Sequence, residues 1–565
     1  MAKPHQYPRL TIDDSRAIQL WIFAIISIIY IATRELIFKG FNGTDDLHYA
    51  MLASRMIKGT YSPFVKGDIF SGRVLLIAWQ ALVYRIGGIN VFTTKATTIF
   101  AIVLACYLTV FKLLKANTTS LVIVASSLFY FNPTLTTATN GILPDIYVVL
   151  AGITVLILWD RSVTQLRTRK NLLYGVYMGF TVAAYLFVKE TVMLFFVLIA
   201  CLAGVYRNRQ AVVTAMAMAA TLLMCGAIIG VWYYYNTGDV FFRLIQVSNS
   251  YYYNPCSYDI IPVSFIIERL TYGPWREFIR YGFYPVIFAA ALIVYNLFLY
   301  KPLAIFKDPF ILCFFILLLA GLYFPFSIKG YQPLCGDIRH FLFLLPLGVF
   351  AVSRYIDTNI SNSKTIKWAV ISFIALVCCV ISTPDKWQWM EWSLFIVYFI
   401  MIKLFANKIM QALKTSAFAL LLWMCMPYHL FYGNSNWFDD MRHLDKQLTG
   451  THYYFADHDN MMHWKLLHQF NDSVHAYDMD PSPFKIFQLY YETIDTSAFH
   501  PGWFLVNGTY TERSESFLHT VDSLIQKKYF NLQIINGDMR AMYLQQSAQL
   551  ALVKNLVASD IKVMR

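Results

Sequence analysis

Runs of about 18 or more predominantly apolar residues recur along this chain, and they constrain its fold more than any other feature. Within a bilayer core about 30 Å thick, backbone N–H and C=O groups must find partners inside the protein, which favours helices as the way across. Such segments fall near 17–38, 91–114, 118–139, 144–159, 171–188, 191–206, 211–235, 283–300, 309–326, 340–356, 367–382, 392–406 and 415–432. Run length therefore predicts an α-helical polytopic membrane protein with about thirteen transmembrane helices. Composition agrees: 14% of the 565 residues are charged and 58% hydrophobic, against roughly 25% charged in soluble proteins. The first run is too long for the apolar core of a secretory signal and has no small-residue cleavage site after it, so it is expected to be a retained anchor.

Basic residues set the orientation. With the N-terminus cytoplasmic, every inner loop is basic, including those at Lys112, Arg161, Arg207, Lys301, Lys364 and Lys403. The expectation is a multi-pass protein of the plasma (inner) membrane, with residues 1–432 forming the membrane domain. Residues 433–565 are polar and alternate strand-like stretches ("HYYFAD", "SVHAYDM", "GWFLVNG", "FNLQIIN") with helical ones. That alternation predicts a small extracytoplasmic α/β domain. The first outer loop, 39–90, is only half apolar; its segment 45–58 puts Tyr49, Leu52, Ala53 and Met56 on one face, as in a helix lying along the interface. A second stretch, "SGRVLLIAWQALVYRIGG" at 71–88, reads as another such helix or as a span.

Much of the net charge of +13 is this inner-loop bias and implies no special partner; membrane lipids are expected as partners and nucleic acid is not. The outer side has its own cations: Arg73, Lys189, Arg243, Arg269, Arg276, Arg280, Lys329 and Arg339. Guanidinium groups there suit a phosphate. Four clusters fall where spans meet the outer surface: Asp45, Asp46 and His48; Asp145 in "NGILPDIY"; Lys189 and Glu190 in "LFVKETV"; and Asp337, Arg339 and His340 in "CGDIRHFLFLLP". Singly, each has a plainer reading. Acids after Thr44 or Pro144 suit a helix N-terminus, Lys189 and Glu190 suit a hairpin between spans, and Arg339 suits an interfacial anchor. Together, they suit a reaction that activates a hydroxyl and releases a phosphate.

These stretches resemble GT-C glycosyltransferases, the polyprenyl-phosphate-sugar-dependent membrane enzymes that include lipid A aminoarabinose transferases and protein O-mannosyltransferases. "DDLHYAMLASRM" is similar to the Asp-(Glu/Asp)-x-(Arg/His)-Tyr-Ala pattern of their first outer loop. "GILPD" resembles the Pro-Asp opening their fourth span, "FVKET" their Leu-Thr-Lys-Glu segment, and "DIRHFLFLLP" their Arg-Tyr-x-x-x-x-x-Pro segment. The resemblance extends in order over most of residues 10–430. It implies Asp45 as catalytic base, Asp46 as its helper, and His48 and Tyr49 lining the pocket. Arg73 would meet the donor phosphate, with Asp145, Lys189, Glu190, Arg339 and His340 completing the substrate site. The aminoarabinose transferases carry an acidic-basic pair at the Arg73 position, whereas "FSGRV" has no acid beside Arg73 and Asp68 is the nearest candidate. A divalent cation, with Asp45 as a ligand, is left open for that reason.

The activity implied is transfer of a sugar, with inversion, from a polyprenyl-phosphate donor to a hydroxyl of a lipid, glycan or protein acceptor. A transporter of lipid-linked sugars and a ligase using a diphosphate-linked donor are the alternatives; a transporter favours internal repeats, and none is visible. In the tail, "ADHDNMMHWKLLHQF" gathers Asp457, His458, Asp459, His463 and His468, at spacings that fit neither an HExxH helix nor a zinc ribbon. Of nine cysteines, Cys256 and Cys335 stand in polar loops, and their pairing stays open.

Overall fold

The computed structural model describes residues 10–249, 263–299, 308–324 and 337–360 apart from isolated positions, with shorter stretches at 333–334, 393–397, 416–424, 437–448, 453–478, 502–507, 530–536 and 539–544. Helices dominate. In order they are α1 (Leu10–Ile37), α2 (Thr44–Ile57), α3 (Val74–Gly87), α4 (Val91–Tyr107), α5 (Thr119–Tyr130), α6 (Pro133–Ala138), α7 (Asp145–Val163), α8 (Thr168–Leu186), α9 (Leu194–Tyr206) and α10 (Arg209–Thr237). There follow α11 (Phe242–Asn249), α12 (Val263–Leu270), α13 (Gly273–Arg280), α14 (Tyr284–Leu299), α15 (Pro309–Tyr323) and α16 (Leu345–Ile360). Among the described residues four stretches, Arg16–Leu36, Val91–Leu113, Asp145–Val163 and Arg209–Thr237, are long and apolar enough to cross a bilayer, and shorter apolar helices accompany them. The chain is an integral membrane protein.

The apolar surface is distributed accordingly. Trp21, Leu223 and Tyr235 are 70%, 77% and 88% exposed on α1 and α10, as suits faces solvated by lipid. α7 is the opposite case: Ile146 through Ile153 are buried on every side, the pattern of a helix at the centre of a bundle. It packs against α4, α8, α9 and a 3-10 turn at Ile338–Leu344. Small residues let α8 and α10 approach closely. A Cβ on Gly175 would lie 2.4 Å from the Thr214 carbonyl oxygen, and one on Gly179 would lie 2.6 Å from Thr221 Cβ. This four-residue glycine spacing brings helix backbones together in membranes, where dispersion contacts replace the hydrophobic drive.

Several expected boundaries move. The run 118–139 is broken at Asn132-Pro133: Pro133 cannot continue α5, and Asn132 Oδ1 accepts from Thr134 N at 3.0 Å to start α6. The helix over 71–88 is α3, and 14 residues give about 21 Å, too short to cross the bilayer core. α2 forms where expected but does not lie on a surface. Every residue from Asp46 to Ser54 is buried, because α3 packs on one side and a helix of the tail on another. The expected span at 367–382 lies outside the described residues, and those at 392–406 and 415–432 are described only in part.

In the tail, α17 (Trp437–Asp445) and α18 (His458–Leu467) accompany strands β1 (Tyr453–Ala456), β2 (His475–Asp478), β3 (Gly502–Asn507), β4 (Phe530–Asn536) and β5 (Met539–Leu544). The strands form one mixed sheet in the order β2-β1-β3-β5-β4. β1 pairs in parallel with β2 and β3, whereas β5 runs antiparallel to β3 and β4. α18 is the tail helix that covers α2. The Phe41 and His463 rings lie 5.9 Å apart there, and the Lys58 ammonium donates to the Phe470 carbonyl at 2.6 Å and to Asp472 at 2.9 Å.

Candidate active site

Helix ends bring the four polar clusters to one end of the bundle. Asp45 stands in the first turn of α2, where the partial positive charge of a helix N-terminus favours a carboxylate, and Asp145 has the same place on α7. Lys189 and Glu190 lie at the junction of α8 with a 3-10 turn, Glu190–Met193, that leads into α9; Lys189 itself is extended (φ −163°, ψ 139°). Asp337 starts the turn before α16, its Oδ1 accepting from Arg339 N at 3.1 Å, while Ile338, Phe341 and Leu342 are buried beneath. The turn thereby holds Arg339 and His340 above the core.

From these positions the side chains close into a ring. Arg339 Nη2 donates to Asp45 Oδ2 at 3.0 Å, and Arg339 also meets Asp337 at 2.7 Å. The next residue, His340, puts Nδ1 2.7 Å from the Lys189 ammonium and 3.3 Å from Asp145 Oδ1, and Lys189 donates to Asp145 at 2.5 Å. Glu190 lies 3.7 Å from Arg73 and accepts from Arg243. Arg73 donates to the Tyr49 hydroxyl, with its guanidinium 5.7 Å from the centre of that ring and 5.6 Å from that of Phe70. Tyr49 is one turn along α2 from Asp45, which completes the circuit. Four cations (Arg339, Lys189, Arg73, Arg243) thus meet four carboxylates (Asp45, Asp337, Asp145, Glu190).

The two other α2 candidates flank the ring. Asp46 is 2% exposed and abuts Gly141, where an added Cβ would lie 2.1 Å from Asp46 Oδ2. His48, also buried, faces Asp68 at 3.6 Å and the Phe70 ring at 5.1 Å. Asp68 therefore is not the acid beside Arg73. Glu190, more than a hundred residues further on, takes that place, because the fold brings the α8–α9 junction to the start of α3. Burial presses the Asp68 carboxyl upward, but the His48 contact and the amide of Phe70, which donates at 2.8 Å, outweigh it and hold the group below its ordinary value.

Sequence reasoning assigned no site role to Arg243 or Gly141. The first is one of the outer-side cations, and that surplus is its only signal. The second lies in the "NGILPD" stretch that also supplies Asp145. Among the described residues no three His, Cys, Asp or Glu side chains converge as metal ligands, and at Asp45 the carboxylate faces a guanidinium. A divalent cation bound at Asp45 would have to displace that guanidinium. In the tail, His463 packs on Phe41 and His468 lies 3.1 Å from Asp445, so these two serve different neighbours; Asp457 and the side chains of His458 and Asp459 lie outside the described residues, as do Cys256 and Cys335.

No protein-family model matches the chain, and no curated protein matches it. Solved structures do. The chain superposes on ArnT from Cupriavidus metallidurans in the apo state with a TM-score of 0.52 at 13% identity, covering 94% of this chain and 99% of that one. For the same enzyme bound to undecaprenyl phosphate the TM-score is 0.54 at 11% identity, with 94% and 98% covered. Over nearly its whole length the chain has the fold of these ArnT structures.

Proposed function

We propose that the chain is an inverting glycosyltransferase, moving a sugar from a polyprenyl-phosphate donor to an acceptor hydroxyl at the outer face of the membrane. One observation carries the reading: Asp45 is held by Arg339 at 3.0 Å, inside a ring whose other cations are Lys189, Arg73 and Arg243. The shared fold supports it, since the ArnT structure binds undecaprenyl phosphate.

Each cation of the ring has a carboxylate partner, so an arriving phosphate exchanges partners and does not enter an empty positive pocket. Arg339 turning from Asp45 to the donor phosphate leaves the Asp45 carboxylate without its guanidinium, and a better proton acceptor. The acceptor oxygen then forms its bond to the anomeric carbon from the face opposite the phosphate. The bond from that carbon to the phosphate oxygen breaks, and its electron pair leaves with polyprenyl phosphate. The hydroxyl proton passes to Asp45. Arg339, Arg73 and Lys189 bear the charge that grows on the leaving phosphate, a task for preorganised cations. Asp145 and His340 hold Lys189 in place, and Glu190 holds Arg73 and Arg243.

Incubating the purified protein with a polyprenyl-phosphate sugar and an envelope extract as acceptor tests this, by release of free polyprenyl phosphate. A requirement for a diphosphate-linked donor, with release of polyprenyl diphosphate, would identify a ligase instead. Transbilayer movement of the donor without release would identify a transporter.

A further inference from the structure

Beside the ring lies a second group of cations that the proposed reaction does not use. Arg34, in the last turn of α1, is 1% exposed. Its Nη2 donates to the Thr139 carbonyl, two residues before Gly141, while Nε and Nη1 are buried without a hydrogen-bond partner among the described residues. The next residue, Glu35, reaches across to Lys95 in the second turn of α4, Nζ to Oε2 at 2.5 Å, and the ammonium also stands 3.8 Å from the centre of the Phe38 ring. The charges of Arg34 and of Arg442, on tail helix α17, both act on Lys95. Lys95 is buried, whereas the Glu35 carboxylate is 37% exposed and Arg442 is exposed.

A guanidinium taken from water and given one carbonyl is poorly compensated, because buried charges are stable only when paired and fully hydrogen-bonded. Meeting the carbonyl of Thr139, the residue that caps the C-terminus of α6, accounts for Nη2 of Arg34 and leaves its other two nitrogens unexplained. Glu35, at the exposed edge, is the carboxylate that holds Lys95. We propose that Arg34, Lys95 and Arg442 form a binding site for a phosphate-type oxyanion, and that the Glu35 carboxylate occupies the anion's place until one arrives. The anion enters between Glu35 and Arg442, displaces Glu35 from Lys95, and accepts from Lys95 and the two free nitrogens of Arg34. The same chemistry serves a lipid headgroup and a phosphate on a soluble molecule. The site does not depend on the transfer reaction.

Binding is tested on the full-length protein by thermal unfolding in nanodiscs of neutral lipid, titrating inorganic phosphate against chloride at matched ionic strength. A parallel series replaces part of the neutral lipid by phosphatidylglycerol. Saturable stabilisation is expected in at least one series; inorganic phosphate alone sufficing assigns the site to a soluble phosphate, and a requirement for phosphatidylglycerol assigns it to a headgroup. Arg442→Gln and Arg34→Gln should each weaken binding by roughly tenfold, the worth of a charge-assisted hydrogen bond. Arg442 is exposed, so its variant folds even where Arg34→Gln does not. Glu35→Gln should tighten binding, since it removes the competing carboxylate, and Arg339→Gln, in the ring, should leave binding unchanged. The proposal is overturned if neither series stabilises the protein, if stabilisation is lost in Arg339→Gln but kept in Arg442→Gln, or if Glu35→Gln weakens binding.

Discussion

Gly141 and Asp46 set the tolerance of the site to change. With 2.1 Å between a Cβ added at Gly141 and Asp46 Oδ2, and Asp46 fixed in a buried helix, neither side can yield cheaply. Gly141→Ala should lower stability by about 1–3 kcal/mol, the usual cost of overpacking, and reduce activity with it; thermal unfolding beside a turnover assay would record both. Lys189→Gln removes the ammonium from Asp145, a pair whose side chains are 8% and 5% exposed. Breaking such a pair costs about 3–5 kcal/mol, so the variant should unfold at markedly lower temperature, and an unchanged midpoint would show that His340 alone compensates Asp145. Asp68 makes a pH prediction. Its folded value lies below the ordinary 3.8, so its contribution to stability is complete above that pH and is lost as pH falls through the lower folded value. Acid unfolding of Asp68→Asn should therefore be shallower than that of the parent protein below about pH 4.

Glycine spacing controls how the elements meet. Gly175 and Gly179 permit α8 and α10 to touch, so Gly179→Val should separate these helices and lower both yield and unfolding temperature, whereas the same change at Gly204, where a Cβ meets nothing within 4 Å, should not. The elements were largely readable from apolar run length, and the candidate residues from their place at run ends. What run length could not carry is tertiary. Pro133 splits a run whose hydropathy is continuous, the burial of α2 depends on a tail helix some four hundred residues away, and Glu190 reaches Arg73 only because the α8–α9 junction closes on α3. Asp68 was the nearest acid along the chain, yet nearness along the chain does not decide which carboxylate a buried guanidinium meets.

For the whole molecule, the charged ring lies at one end of a helical bundle with the fold of ArnT, and the tail leans on the helix that carries Asp45. If the basic loops mark the cytoplasmic side, a single cysteine placed at exposed Lys58 should react with a membrane-impermeant thiol reagent added outside intact cells, and one at Arg207 only after permeabilisation. The claim on which the rest depends is that Asp45 takes the acceptor proton. The most direct measurement compares Asp45→Asn with the parent protein for release of polyprenyl phosphate and for binding of the donor. A positioned base contributes about 10²–10⁴-fold, so release should fall by at least that lower bound while donor binding persists. Release at near the parent rate would contradict the assignment.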